Sequence, residues 1–96
     1  MRKHIVISGK VQGVGFRYWL SKKANQKNIY GWVKNKVSSE VEALFIGDDT
    51  KISDLIELCK KGPSSSKVTK IIVQNYQEEY LSRSFNIISD QYIKFN

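Results

Sequence analysis

One cysteine, one histidine and one proline stand in 96 residues. The lone Cys59 cannot build a disulfide framework or a Cys-rich zinc site within one chain. A lone histidine, His4, with no HExxH and no paired His/Cys spacing, leaves no metal-ligand motif, so neither metal nor cofactor is expected. No apolar run approaches the roughly 18 residues of a membrane span. Ile5-Val6-Ile7, behind the basic start Met1-Arg2-Lys3-His4, is too short for a signal-peptide core. No membrane partner is therefore expected, and the expected location is cytoplasmic. Internal repeats, low-complexity blocks and linkers are absent too, so residues 1–96 read as a single domain.

What is present is an ordinary globular composition with an unbalanced charge. Apolar residues make up 41% and aromatics 11%, too rich for disorder. Sixteen Lys+Arg against nine Asp+Glu give +7 at neutral pH, which favours anionic partners without specifying a fold. The lysines are scattered, so most read as solvated residues contributing a background field.

Periodicity and punctuation order the elements. Residues 3–8 are β-branched and predict a first strand, and residues 9–16, with three of the six glycines, predict a loop. Phe16, Trp19, Leu20 and Ala24 fall at i, i+3, i+4 and i+8, the apolar stripe of a helix that Asn28 ends. Residues 29–36 and 40–46 predict a hairpin around Val37-Ser38-Ser39. Asp48 and Asp49 open a second helix at its positive end; Ile52, Leu55, Ile56 and Cys59 form its stripe and Gly62-Pro63 stop it. Residues 68–76 and 85–88 predict further strands. The order β-α-β-β-α-β, with a possible fifth strand, implies an α+β ferredoxin-like sandwich: an antiparallel sheet with two helices on one face.

The segment Ser8-Gly9-Lys10-Val11-Gln12-Gly13-Val14-Gly15-Phe16-Arg17 joins a strand to a helix start. Its glycines permit the φ values that aim backbone N–H groups at a common centre, and the helix N-terminus adds partial positive charge. Arg17, early in the helix, is placed to cover such a cavity and take two phosphate oxygens. A Walker loop is excluded because the closing Gly-Lys-Ser/Thr is missing, and the dinucleotide fingerprint because its third glycine is missing. A structural glycine turn is the competing reading of these residues.

Gly9–Arg17 resembles the signature of the acylphosphatase family, and Gly31-Trp32-Val33-Lys34-Asn35 with Val41-Glu42 resembles that family's second motif. The likeness runs from about His4 to Ile88 and leaves a tail, residues 89–96, in which Tyr92, Ile93 and Phe95 suggest packing. The resemblance implies hydrolysis of the carboxyl–phosphate bond of small acyl phosphates, with no metal and no cofactor. It implies that Arg17 and Asn35 are catalytic, and that Gln12, Gly13, Val14, Gly15, Phe16 and Arg17 bind phosphate. Arg17 would anchor the phosphoryl group and Asn35 would position the attacking water. A small-molecule acyl phosphate is the implied partner, with inorganic phosphate as product and inhibitor and the protein expected as a monomer. One departure stands out: Ser38-Ser39 replace the family's usual glycine-bearing turn, and because serine resists positive φ a different hairpin turn is expected, shifting Asn35 slightly.

Single residues also have plainer readings. Gln12 contributes its backbone, its side chain no more than steadying the loop. Cys59 reads as an inert core thiol, His4 as structural, and Trp19 and Trp32 as packing residues. The alternative function for this element order is an RRM-like nucleic-acid-binding module. It needs basic and aromatic residues on the third strand, where Glu40 and Glu42 stand with only Phe45, and the first strand has no aromatic residue, so nucleic acid is not the expected partner.

Overall fold

The computed structural model describes residues 1–90. Its elements are β1 (Arg2–Lys10), α1 (Phe16–Gln26), β2 (Tyr30–Asn35), β3 (Val41–Ile46), α2 (Asp49–Lys61), β4 (Lys67–Asn75) and β5 (Phe85–Ile88). The five strands form one sheet in the order β4-β1-β3-β2-β5. Pairings β4–β1, β1–β3 and β3–β2 are antiparallel, as expected for the ferredoxin-like frame, whereas β5 lies parallel to β2. The tail residues Tyr92, Ile93 and Phe95 lie outside the described residues.

Alternation along the strands supplies the core. Ile5, Ile7, Val33, Val41, Ala43 and Phe45 point to the helical face and are at most 0% exposed, while the intervening His4, Lys34 and Glu42 stay partly accessible. The predicted stripes bury as expected: Phe16, Leu20 and Ala24 from α1, and Ile52, Leu55 and Cys59 from α2, share one cluster with the strands. Trp19 and Ile56 complete the stripes from its margin. Asp48 caps α2, its side chain accepting from the Lys51 backbone N–H at 3.1 Å.

Two glycines set how closely neighbouring strands approach. A Cβ on Gly31 (φ 136°) would run into the Leu44 carbonyl, and one on Gly9 (φ 122°) into that of Lys67. Gly9 also marks the register shift of β1 against β4, the point where β1 leaves its ladder for the glycine loop. The parallel pairing sets Lys34 opposite Ile88. It thereby brings the end of β5 alongside the end of β2, where Asn35 stands.

Candidate active site

The glycine loop is pegged at both ends by apolar side chains. Val11 is 1% exposed and Phe16 2%, and both belong to the core. Between them Gly13 (φ 72°) and Gly15 (φ 75°) take left-handed backbone, while Gln12 and Val14 do not. Alternating sign from residue to residue turns successive N–H groups toward one point, the geometry of an anion nest. A Cβ at either glycine would meet nothing within 4 Å. These positions therefore require glycine for φ, not for room. Gly15 is also the N-cap of α1, and among the described residues no side chain caps that helix. The first-turn N–H groups and the positive end of the helix dipole are thus directed at the same centre as the nest.

Arg17 is the second residue of α1. Its Nη1 donates to the Ile88 carbonyl at 3.1 Å and to Asp90 Oδ1 at 3.3 Å, and its Nη2 to Asp90 Oδ2 at 3.5 Å. The guanidinium therefore rests on the end of β5 with a carboxylate against it, not folded freely over the loop. Asn35 closes β2 opposite Val41, and its carboxamide has no hydrogen-bond partner among the described residues. Arg17, Asn35, Gly13, Gly15 and Phe16 line one cavity of about 300 Å³, with Ser89 and Asp90 on its rim. A neighbouring cleft of about 1080 Å³ begins at the same Asn35, Ser89 and Asp90 and extends past Gln12 toward Lys34 and Glu42. Val14 lines neither cavity and packs partly against the core.

The hairpin carrying Asn35 departs from expectation. Ser39 itself adopts φ 73°, the left-handed backbone that serine is expected to resist. The Ser39 N–H donates to the Lys36 carbonyl at 3.1 Å and the Lys36 N–H to the Glu40 carbonyl at 2.8 Å, closing a three-residue loop with a left-handed third residue. Ser38 Oγ donates to Glu40 Oε1 at 2.7 Å and Ser8 Oγ to Glu40 Oε2 at 3.1 Å. The hydroxyls of Ser38 and then Ser8, with the charge of Lys36, outweigh desolvation and hold the Glu40 carboxyl below its ordinary value. Gln12 does more than steady its own loop. Its Nε2 donates to the carbonyls of Lys36 at 2.8 Å and Glu40 at 2.9 Å.

Outside the cavity the remaining candidates take structural places. His4 pairs with Glu42 and packs edge-on to Trp32 on the sheet face away from the helices. Burial pushes the Glu42 carboxyl up, but the His4 hydrogen bond and the Lys34 charge outweigh it, leaving the carboxyl below its ordinary value. Trp19 stacks edge-on against Phe16, and neither tryptophan lines the two cavities. The Cys59 thiol is buried, which pushes it up to about 12 and keeps it un-ionised. Asp90 and the side-chain roles of Gln12 and Glu40 went unseen in the sequence. The contacts that tie them to other elements, with Lys36, Glu40, Ser8 and Arg17, span 24 to 73 residues, beyond any local pattern.

A family model described as Acylphosphatase matches residues 3–87. An acylphosphatase from Rhodopseudomonas palustris is 35% identical over 92 residues, covering 91% of this chain and 93% of that protein. Another, from Chlorobaculum tepidum, is 38% identical over 88 residues, covering 92% and 96%. The crystal structure of acylphosphatase from Bacillus subtilis superposes with a TM-score of 0.86 at 36% identity, over 91% of this chain and 97% of that one. An acylphosphatase structure from Coxiella burnetii gives 0.83 at 34%, over 91% and 90%.

Proposed function

The chain belongs to the acylphosphatase family and hydrolyses acyl phosphates, and from that premise we propose that the Gln12–Phe16 backbone and Arg17 hold the phosphoryl group while Asn35 orients the attacking water. The observation that carries this reading is the convergence on one cavity of an alternating-φ glycine nest, a helix start and a carboxamide that have no side-chain partner among the described residues, and a guanidinium.

The chemistry asks for little more. Cleaving the carboxyl–phosphate anhydride releases a carboxylate, a leaving group good enough to depart without a strong general acid. What lowers the barrier is stabilising the equatorial phosphoryl oxygens and holding a water in line with phosphorus. Backbone donors and Arg17 supply the first. A carboxamide supplies the second, orienting water by its oxygen and N–H₂ without having to ionise. The water oxygen bonds to phosphorus, the bridging P–O bond breaks, and the electron pair leaves with the carboxylate. The two water protons pass to phosphate and solvent. No phosphoenzyme is invoked: Cys59 lies in the core, and His4 is paired with Glu42.

The substrate is a small-molecule acyl phosphate; inorganic phosphate, the product, is expected to inhibit by occupying the same nest. One chain suffices, since every residue named comes from it. The nucleic-acid reading is not favoured, because the middle of β3 presents Glu42 on the face an RNA would cover. The test is hydrolysis of benzoyl phosphate in excess EDTA, with Arg17→Ala alongside. Turnover that survives EDTA and falls at least about 10²–10³-fold in the variant is the expected outcome, the usual cost of losing one preorganised donor. Equal rates for the two proteins would refute the assignment of Arg17.

A further inference from the structure

We propose that Glu40 and the side chain of Gln12 are positioning residues, a two-point clamp that sets the gap between the phosphate nest and Asn35. The inference rests on the site assigned under Proposed function and adds what fixes its spacing.

The nest and the carboxamide belong to different elements, and nothing in the backbone ladder joins them directly. Residues 11–15 lie between β1 and α1, while Asn35 ends β2. Two side chains cross that gap. At the root of the loop, Ser8 precedes the register shift at Gly9 and donates to Glu40, whose other oxygen accepts from Ser38 in the hairpin turn. At its crest, Gln12 Nε2 holds the carbonyls of Lys36 and Glu40. The Gln12–Lys36 link is anchored one residue from each group that matters, and Glu40 stands next to Val41, which faces Asn35 across the hairpin. Gln12 precedes Gly13, where the alternation of φ begins, and Lys36 follows Asn35. A displacement at the link is therefore transmitted almost undiminished to nest and carboxamide.

The hairpin has no need of these links to close. The Lys36 and Glu40 carbonyls already accept from the Ser39 and Lys36 backbone N–H groups. Removing Gln12 orphans neither carbonyl, so its bonds serve the relation between two elements more than the integrity of either. In-line attack is sensitive to that relation, because a shift of about 1 Å between water and phosphorus can cost about 100-fold in rate. Phosphate binding alone involves only the nest side of the gap. The clamp should therefore act on turnover and spare affinity.

The experiment compares wild type with Gln12→Ala, Glu40→Ala, Glu40→Gln and Arg17→Ala. It measures kcat and KM for benzoyl phosphate, affinity for inorganic phosphate by calorimetry, and thermal midpoints to confirm that each protein is folded at assay temperature. Expected for the two clamp alanine variants is a fall in kcat of about 10- to 100-fold, with phosphate affinity within about threefold of wild type. Glu40→Gln should recover most of the rate, since its amide can still bridge the Ser8 and Ser38 hydroxyls. Unchanged kcat in folded Gln12→Ala and Glu40→Ala, while Arg17→Ala is inactive, would overturn the clamp and leave the site standing. Phosphate affinity falling in parallel with kcat would also overturn it, since the links would then build the nest and not its spacing. A wild type that fails to hydrolyse benzoyl phosphate would overturn the site and the clamp together.

Discussion

Ser39 holds φ 73° without the conformational freedom of glycine, and left-handed backbone costs an ordinary residue about 1 kcal/mol or more. The Ser38–Glu40 hydrogen bond and the two backbone bonds of the turn offset that cost. Ser39→Gly should therefore stabilise the protein by about 1 kcal/mol, a rise of about 4–8 °C in thermal midpoint for a domain of this size. A lowered midpoint would contradict this reading of the turn. At Asp90 the balance is different. Its side chain is 31% exposed and that of Arg17 26%, and an ion pair so accessible is worth about 0–1 kcal/mol. On the proposed reading, a doubly charged phosphoryl group accompanied by the loop's N–H groups would displace it at little cost. Asp90→Asn should strengthen phosphate binding, by no more than about fivefold; a loss of binding would show that the carboxylate supports the arginine and does not compete for it.

Among the elements, the β2–β3 hairpin carries the charge that matters for stability. Glu40 and Glu42 both sit below the ordinary carboxylate range. A carboxyl depressed in the folded state stabilises fully above its unfolded pKa of about 4.3, and that contribution is lost as pH falls through the lower folded value. The thermal midpoint should hold near neutral pH and drop below about pH 4.3, and Glu42→Gln should flatten this acid limb. An identical acid slope in the variant would show that the His4 and Lys34 contacts contribute nothing. The elements themselves were largely legible in the sequence. Phe16, Leu20 and Ala24 announce α1, Asp48 and Gly62 bracket α2, and the alternation of Val41, Ala43 and Phe45 marks a half-buried strand. What pattern does not carry is pairing: nothing in Phe85–Ile88 says that it lies parallel to β2, yet that pairing places Ile88 under Arg17.

Over the whole molecule, the +7 charge is a background, and the anion site proposed above is local. Several of the cations are engaged with carboxylates, Lys34 with Glu42, Lys36 with Glu40, Arg17 with Asp90 and Lys60 with Glu57. The rest supply a field that draws in anionic substrate without choosing it. Gly13, Gly15 and Arg17 could be singled out in the sequence because a glycine nest and a following guanidinium are tied to residue types at a fixed local spacing, whereas Asn35 is marked by the resemblance of Gly31–Asn35 to the family's second motif. Gln12, Glu40 and Asp90 acquire their roles only when strands distant in sequence are brought together, so no local signal marks them. The central claim divides the labour between two residues, Arg17 for the phosphoryl oxygens and Asn35 for the water. Calorimetric titration of inorganic phosphate into Asn35→Ala and Arg17→Ala tests it most directly. The account predicts near wild-type affinity in a hydrolytically inactive Asn35→Ala and at least about tenfold weaker binding in Arg17→Ala, a loss of about 1.4 kcal/mol or more. Equal phosphate affinity in the two variants would contradict it.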